Sequence, residues 1–209
     1  MIKYALIMHI DAAEFQKLKS EAEVLSIPCI SPSTGNLLEM VARLGRSKNI
    51  VEIGTGNGYS TLHLLSGAAL NGGRVTTFEK DVPRFRLALN NLNNYAEKGM
   101  LKIFNEDALS VLDEVPANID LLFIDGMKRQ YCDILKKIWN KLEKNAIICS
   151  DDIFFQGVLE PEKTLDRHKS IVKGLREYIA YLNELENEGK IKNFFFDYEN
   201  GISVSQKLE

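Results

Sequence analysis

Cysteine is scarce in this 209-residue chain. The three present, Cys29, Cys132 and Cys149, lie far apart, are odd in number and form no C-x-x-C pair. This argues against a disulfide framework or a thiolate zinc site and makes a reducing cytoplasm the expected compartment. Histidine is as sparse: His9, His63 and His168 are scattered without metal-ligand spacing. No apolar run approaches the ~18 residues of a membrane span, so no membrane partner is expected. The N-terminal stretch MIKYALIMHIDAAEF has an apolar patch but neither a sustained apolar core nor a small-residue cleavage site, so it does not read as a signal peptide. An excess of positive charge is also missing. Lys and Arg number 26 against 29 Asp and Glu, which disfavours a generic nucleic-acid coat while leaving a local basic patch open. No internal repeat or low-complexity linker is visible.

What is present is a chain rich enough in apolar residues, at 45%, to build a sizeable core. Periodicity predicts helices over 12–24 and 35–44, the second ending at Gly45, with SIPCISPSTG as a loop between them. Strands and helices then alternate. Strands are expected at 49–53, 75–78, 101–104, 119–125 and 145–152, and helices at 59–69, from an Asp81 cap with Pro83 in its first turn, at 130–142, and at 165–187. The ending IKNFFFDYENGISVSQK reads as a hairpin turning at Asn200–Gly201, its aromatic strand taken as sheet packing. Trp139, with Ile134, Leu135 and Ile138, reads as a buried helix face, and Cys149 as core. The pattern implies an α/β fold with a doubly wound, mostly parallel seven-stranded sheet and a C-terminal antiparallel hairpin. It is read as one structural domain, with N-terminal helices over 1–46 and a core over 47–209. In such sheets ligands sit outside the carboxyl ends of the strands, so the residues just after each strand matter most.

After the first strand comes GTGNG. Gly54, Gly56 and Gly58 let the backbone turn tightly and approach a ligand closely. The spacing is G-x-G-x-G, not the dinucleotide G-x-G-x-x-G. Glu52, two residues before Gly54, would repel a pyrophosphate and suits a ligand with positive charge and no phosphate. S-adenosylmethionine, with an ammonium and a sulfonium, has both traits. Its carboxylate can be met by backbone N–H groups and by Ser60 at the helix start. Glu79 ends the second strand, where an acid can accept both ribose hydroxyls. Asp107, with Ala108 beside it, follows the third, where a polar side chain can meet the adenine. Each acid alone could equally be a helix cap or a solvated charge. In correct strand order they favour the cofactor.

Asp125 closes the fourth strand, where it borders the same cofactor, and Asp151 and Asp152 close the fifth. Adjacent strand ends are about 5 Å apart, so three carboxylates can converge, and like charges at that range call for a cation. Hard oxygen ligands suit Mg²⁺ first, with Mn²⁺ or Ca²⁺ as alternatives. Capping of a following turn by Asp151 and Asp152 is the bland reading.

VEIGTGNGYSTLHLL resembles the first motif of class I methyltransferases. More narrowly, it resembles that of the catechol and caffeoyl-CoA O-methyltransferases, in which GYS follows the glycines. FIDGMKRQY and ICSDDIFFQG are similar to that family's most specific segments, and the likeness runs from about Ile27 to Lys207. It implies a metal-assisted methyl transfer from S-adenosylmethionine to a hydroxyl of a small aromatic or vicinal-diol acceptor. It also implies a homodimer, with the N-terminal helices and the loop after Gly157 shaping the acceptor pocket. By the D-x-x-K-x-x-Y pattern, Lys128 is implied as general base or as positioner of the oxyanion, with Tyr131 as packing. The family's pattern is Asp, then Asp-Asn, whereas here the third position is Asp152, one charge more negative. Some bacterial members methylate 5-hydroxyuridine in tRNA. Arg167, His168, Lys169, Lys173 and Arg176 could serve such an acceptor, but Asp166 and Glu177 dilute the patch. A non-catalytic binding domain and a nicotinamide oxidoreductase are the readings from other classes.

Overall fold

The computed structural model describes residues 10–115, 117–155, 158–160, 162 and 164–209. His9 and the N-terminal apolar patch lie outside the described residues, as do Gln156, Gly157, Pro161 and Lys163 in the loop assigned to the acceptor pocket. The chain divides into two compact units, one ending at Glu106 and the other running Asp107–Glu209.

The first unit begins with α1 (Ala12–Val24), capped by the Asp11 carboxylate on the N–H of Ala13 and burying Leu18 and Ala22. Helix α2 (Pro32–Leu44) starts three residues earlier than the periodicity predicts. Ser31 accepts the N–H of Thr34 and Pro32 holds the first helical position, so a Ser-Pro pair read as loop is a helix start. Strand β1 (Asn49–Ile53), helix α3 (Tyr59–Ala69), strand β2 (Arg74–Phe78), helix α4 (Val82–Glu97) and strand β3 (Leu101–Phe104) follow. Asp81 caps α4 on the N–H of Arg84, as expected. The three strands are parallel and their ends register, Ile53 opposite Phe78 and Phe78 opposite Phe104. The residues that follow them therefore share one rim.

The second unit holds α5 (Ala108–Val111), β4 (Ile119–Ile124), α6 (Tyr131–Ile138), β5 (Leu142–Ser150), α7 (Lys169–Asn187), β6 (Ile191–Phe196) and β7 (Ile202–Lys207). Single 3₁₀ turns precede α6 and α7 at Lys128–Gln130 and Asp166–His168. β4 and β5 are parallel; β7 pairs antiparallel with both β5 and β6. Helix α6 is shorter than expected and β5 longer. Pairing jumps from Ile119–Leu142 to Leu121–Ile147, and Asn145 takes up the irregularity at φ 68°. Asn tolerates that left-handed backbone, which hydrophobic periodicity does not register. The hairpin is also wider than two residues: β6 ends at Phe196 and β7 starts at Ile202, with positive φ at Glu199 and Gly201. Ile134, Leu135, Ile138 and Cys149 are fully buried, as read, whereas Trp139 falls in a 3₁₀ turn after α6 and stays partly exposed. Phe194, Phe195 and Phe196 are not core: β6 is the last strand of the sheet, and all three rings keep a third or more of their surface exposed.

The strand order is β3-β2-β1-β4-β5-β7-β6, a seven-stranded mixed sheet of the Rossmann-like kind the alternation predicts. Among the described residues no helix is long and apolar enough to cross a membrane.

Candidate active site

In the first unit the glycine turn is built as the sequence implies. Gly54, Gly56 and Gly58 all adopt positive φ, at 100°, 59° and 98°. At Gly58 a side chain is doubly excluded. The left-handed backbone strains an L-residue, and a Cβ would fall 2.6 Å from Leu92 Cδ1. Gly58 also starts α3 without a side-chain cap.

Glu79, just past β2, is buried and fixed by two backbone donors. Gly56 N–H gives 2.9 Å to one carboxylate oxygen and Asp81 N–H gives 2.9 Å to the other. Each oxygen keeps a further lone pair for a ligand hydroxyl. The Asn105 amide holds the Glu79 carbonyl at 2.8 Å.

Glu52 is arranged differently from its sequence reading. It is completely buried, and both oxygens are occupied, by Ser60 Oγ at 2.6 Å and Thr61 Oγ1 at 2.5 Å. Burial pushes its carboxyl up to about 6 despite these two donors. The Ser60 hydroxyl, expected beside a ligand carboxylate, donates to Glu52 and ties the first turn of α3 back to β1. Three asparagine and glutamate contacts were missed by sequence reasoning. The Asn57 amide donates to Leu18 O at 2.7 Å and Glu21 Oε2 at 3.0 Å, and Asn91 donates to the same Glu21 oxygen at 2.6 Å. They fasten the glycine turn to α1 and α4. The signal was an amide at a variable position of G-x-G-x-G.

In the second unit Asp107 caps α5 on the N–H of Leu109, and Ala108 is buried behind it. Ile124 pairs with Ser150, so Asp125 and Asp151 leave neighbouring strand ends in register. Lys128 Nζ lies 2.6 Å from Asp152 Oδ2 and 4.0 Å from Asp125 Oδ1. Asp152 sits at φ 57°, a left-handed conformation that Asp and Asn adopt more readily than other side chains. The amide of Asn200 donates 2.9 Å to Asp152 Oδ1. Asn200, read only as a turn residue, is thereby part of the site. It gets there because Ile153 N–H and Phe154 N–H bond to Gly201 O and Asn200 O, pinning the segment after β5 to the β6–β7 loop. Burial and the Asp152 charge together push the Asp151 carboxyl well above the ordinary carboxylate range. Tyr131 is fully buried and its hydroxyl donates 3.1 Å to the Asp151 carbonyl, so it packs and positions.

Among the described residues no three acids, histidines or cysteines stand in the arrangement of a metal centre. The donor chemistry of Asp125, Asp151 and Asp152 nevertheless suits a hard cation. The positive charge beside them is the Lys128 ammonium.

A family model described as O-methyltransferase matches residues 9–208. A catechol O-methyltransferase of Niastella koreensis is 28% identical over 159 residues, covering 73% of this chain and 69% of the relative. Caffeoyl-CoA O-methyltransferase 1 of Arabidopsis thaliana is 23% identical over 222 residues, covering 100% and 84%. The crystal structure of an O-methyltransferase from Bacillus cereus in complex with SAH superposes with a TM-score of 0.82 at 20% identity, covering 97% of this chain and 93% of that one. With a glycine turn, a pinned acid after β2 and an acid–lysine cluster after β4 and β5 in place, and with the family model spanning almost its whole length, the chain belongs to the O-methyltransferase family.

Proposed function

We propose that this protein moves a methyl group from S-adenosylmethionine to a hydroxyl of a small aromatic or vicinal-diol acceptor, with a divalent cation assisting. The observation that carries the donor is Glu79, held by Gly56 and Asp81 so that its oxygens present lone pairs to a pair of ribose hydroxyls. Gly54, Gly56 and Gly58 let the donor approach the backbone, and the uncapped start of α3 suits its carboxylate. Glu52 acts through Ser60 and Thr61, setting the angle of that helix start. Asp107, Ala108 and Asp125 complete the proposed donor contacts.

Asp125, Asp151 and Asp152 would hold the cation, Mg²⁺ by its fit to oxygen ligands. When bound, such an ion lowers the pKa of an acceptor hydroxyl, about 10 for a phenol. Lys128 places an ammonium beside the oxygen that becomes negative as its proton leaves. In the transfer the C–S bond breaks as the C–O bond forms; the sulfonium becomes a neutral thioether and the hydroxyl proton passes to solvent water. Positioning of the oxygen in line with the departing sulfur is what the protein contributes to rate.

The small acceptor is favoured over tRNA by the charge state of α7. Lys169 is paired with Asp166 at 2.6 Å, Lys173 lies 3.8 Å from Glu177, and Arg176 Nε donates to Val158 O. The test is transfer of labelled methyl to a catechol panel and to total tRNA, with and without chelator. Label in the diols, suppressed by chelator, is expected; label confined to tRNA would overturn the acceptor, and chelator-indifferent transfer would overturn the cation.

A further inference from the structure

We propose that the Lys128–Asp152 ion pair is a lock on the acidic cluster after β5: the ammonium is its resident counter-charge, and a divalent cation enters only by opening that pair. The inference rests on the cation reading above.

The ammonium is held rather than swinging free. Its side chain is 16% exposed, Nζ is 2.6 Å from Asp152 Oδ2 and 4.0 Å from Asp125 Oδ1, and the Phe155 ring centroid lies 5.7 Å away. The other Asp152 oxygen is engaged by Asn200 at 2.9 Å. Both oxygens of Asp152 are therefore in use, one by a full positive charge and one by an amide donor. A cation ligated by Asp152 at ~2.1–2.5 Å would lie within about 5 Å of an ammonium that stayed in place, and the two charges would repel in a half-buried setting. The pair and the cation thus compete for one carboxylate. Apparent cation affinity is the intrinsic affinity multiplied by the fraction of molecules in which the pair is open. Opening also releases Lys128 from Asp152, so cation entry and freedom of the lysine are one event.

The test is calorimetric titration of the full-length protein with Mn²⁺ in four forms: wild type, Lys128→Met, Asp152→Asn and the double variant. A thermal shift with S-adenosylhomocysteine reports that each form is folded, and Lys128→Gln replaces Lys128→Met if the latter is not. Lys128→Met should tighten Mn²⁺ binding about tenfold when Asp152 is present, within the usual range of coupling energies, and less than about twofold when residue 152 is Asn. Equal tightening in both backgrounds would mean a general charge effect and overturn the lock, as would unchanged or weaker binding in Lys128→Met. Absence of Mn²⁺ binding in all four forms would instead remove the cation reading itself.

Discussion

The backbone N–H of Gly56 donates to the Glu79 carboxylate at 2.9 Å, tying the glycine turn after β1 to the residue that follows β2. One side chain thus completes the turn and faces the proposed donor. Glu79→Gln would set an amide NH₂ against one of two backbone donors and remove the charge. Loss of a charged hydrogen bond of about 1.5–3 kcal/mol predicts S-adenosylhomocysteine binding weakened by about 10- to 100-fold. Calorimetry measures this directly. Unaltered affinity with a lowered melting temperature would make Glu79 a purely structural residue.

Glu52 should leave a signature in stability against pH. Its folded carboxyl sits near 6 against an ordinary value of 4.5, so between these values the folded state holds the proton more tightly than the unfolded chain. Its contribution is fully present below pH 4.5 and is lost as pH rises through 6, about 2 kcal/mol in all. Glu52→Gln has no such loss. Urea unfolding at pH 4 and pH 7.5 should show the variant gaining relative to wild type by about that amount at the higher pH. A constant difference across the range would contradict the assignment.

Gly35 in α2 faces the ring of His63 in α3, and a Cβ there would fall 2.4 Å from His63 Nε2. The imidazole is buried, its Nδ1 lies 3.7 Å from Glu39 Oε2, and the rings of Phe15 and Tyr59 stand 4.4 and 5.0 Å from it, so it has little room to move aside. Gly35→Ala should therefore cost about 1–3 kcal/mol by overpacking, although alanine is the better helix former. Chemical denaturation would reveal it; a stabilised variant would show that α2 and α3 part easily.

Lys128→Ala should lower kcat by about 100-fold, in the range expected when a positive charge beside the developing oxyanion is removed, while donor affinity holds. Steady-state kinetics beside a donor titration separates the two. Equal losses in both would move Lys128 from acceptor chemistry to donor binding.

Much of the architecture was legible because it is written in period and punctuation. Helix α1, strand β1, helix α3 and strand β3 begin and end where apolar spacing and glycines put them. What escaped was written in single contacts. The Ser31–Pro32 pair reads as loop but starts α2, the Asn145 irregularity lengthens β5 at the expense of α6, and the Phe194–Phe196 run, read as sheet packing, keeps its rings partly exposed on the sheet's outer strand. At the site, the sequence singled out Glu52, Glu79, Asp125, Lys128, Asp151 and Asp152. It could not tell that Glu52 is spent on Ser60 and Thr61, or that Asn200, 48 residues from Asp152, would reach it. Partners so distant along the chain leave no local periodicity to read.

The left-handed backbone at Asp152 has an evolutionary corollary. Few side chains are comfortable there, and the two that also reach a neighbour with an oxygen are aspartate and asparagine. They are nearly the same size and differ by one unit of charge. Descent at this position can therefore retune the electrostatics of the acidic cluster after β5 in one step, from neutral to anionic or back, without redrawing the loop that carries it.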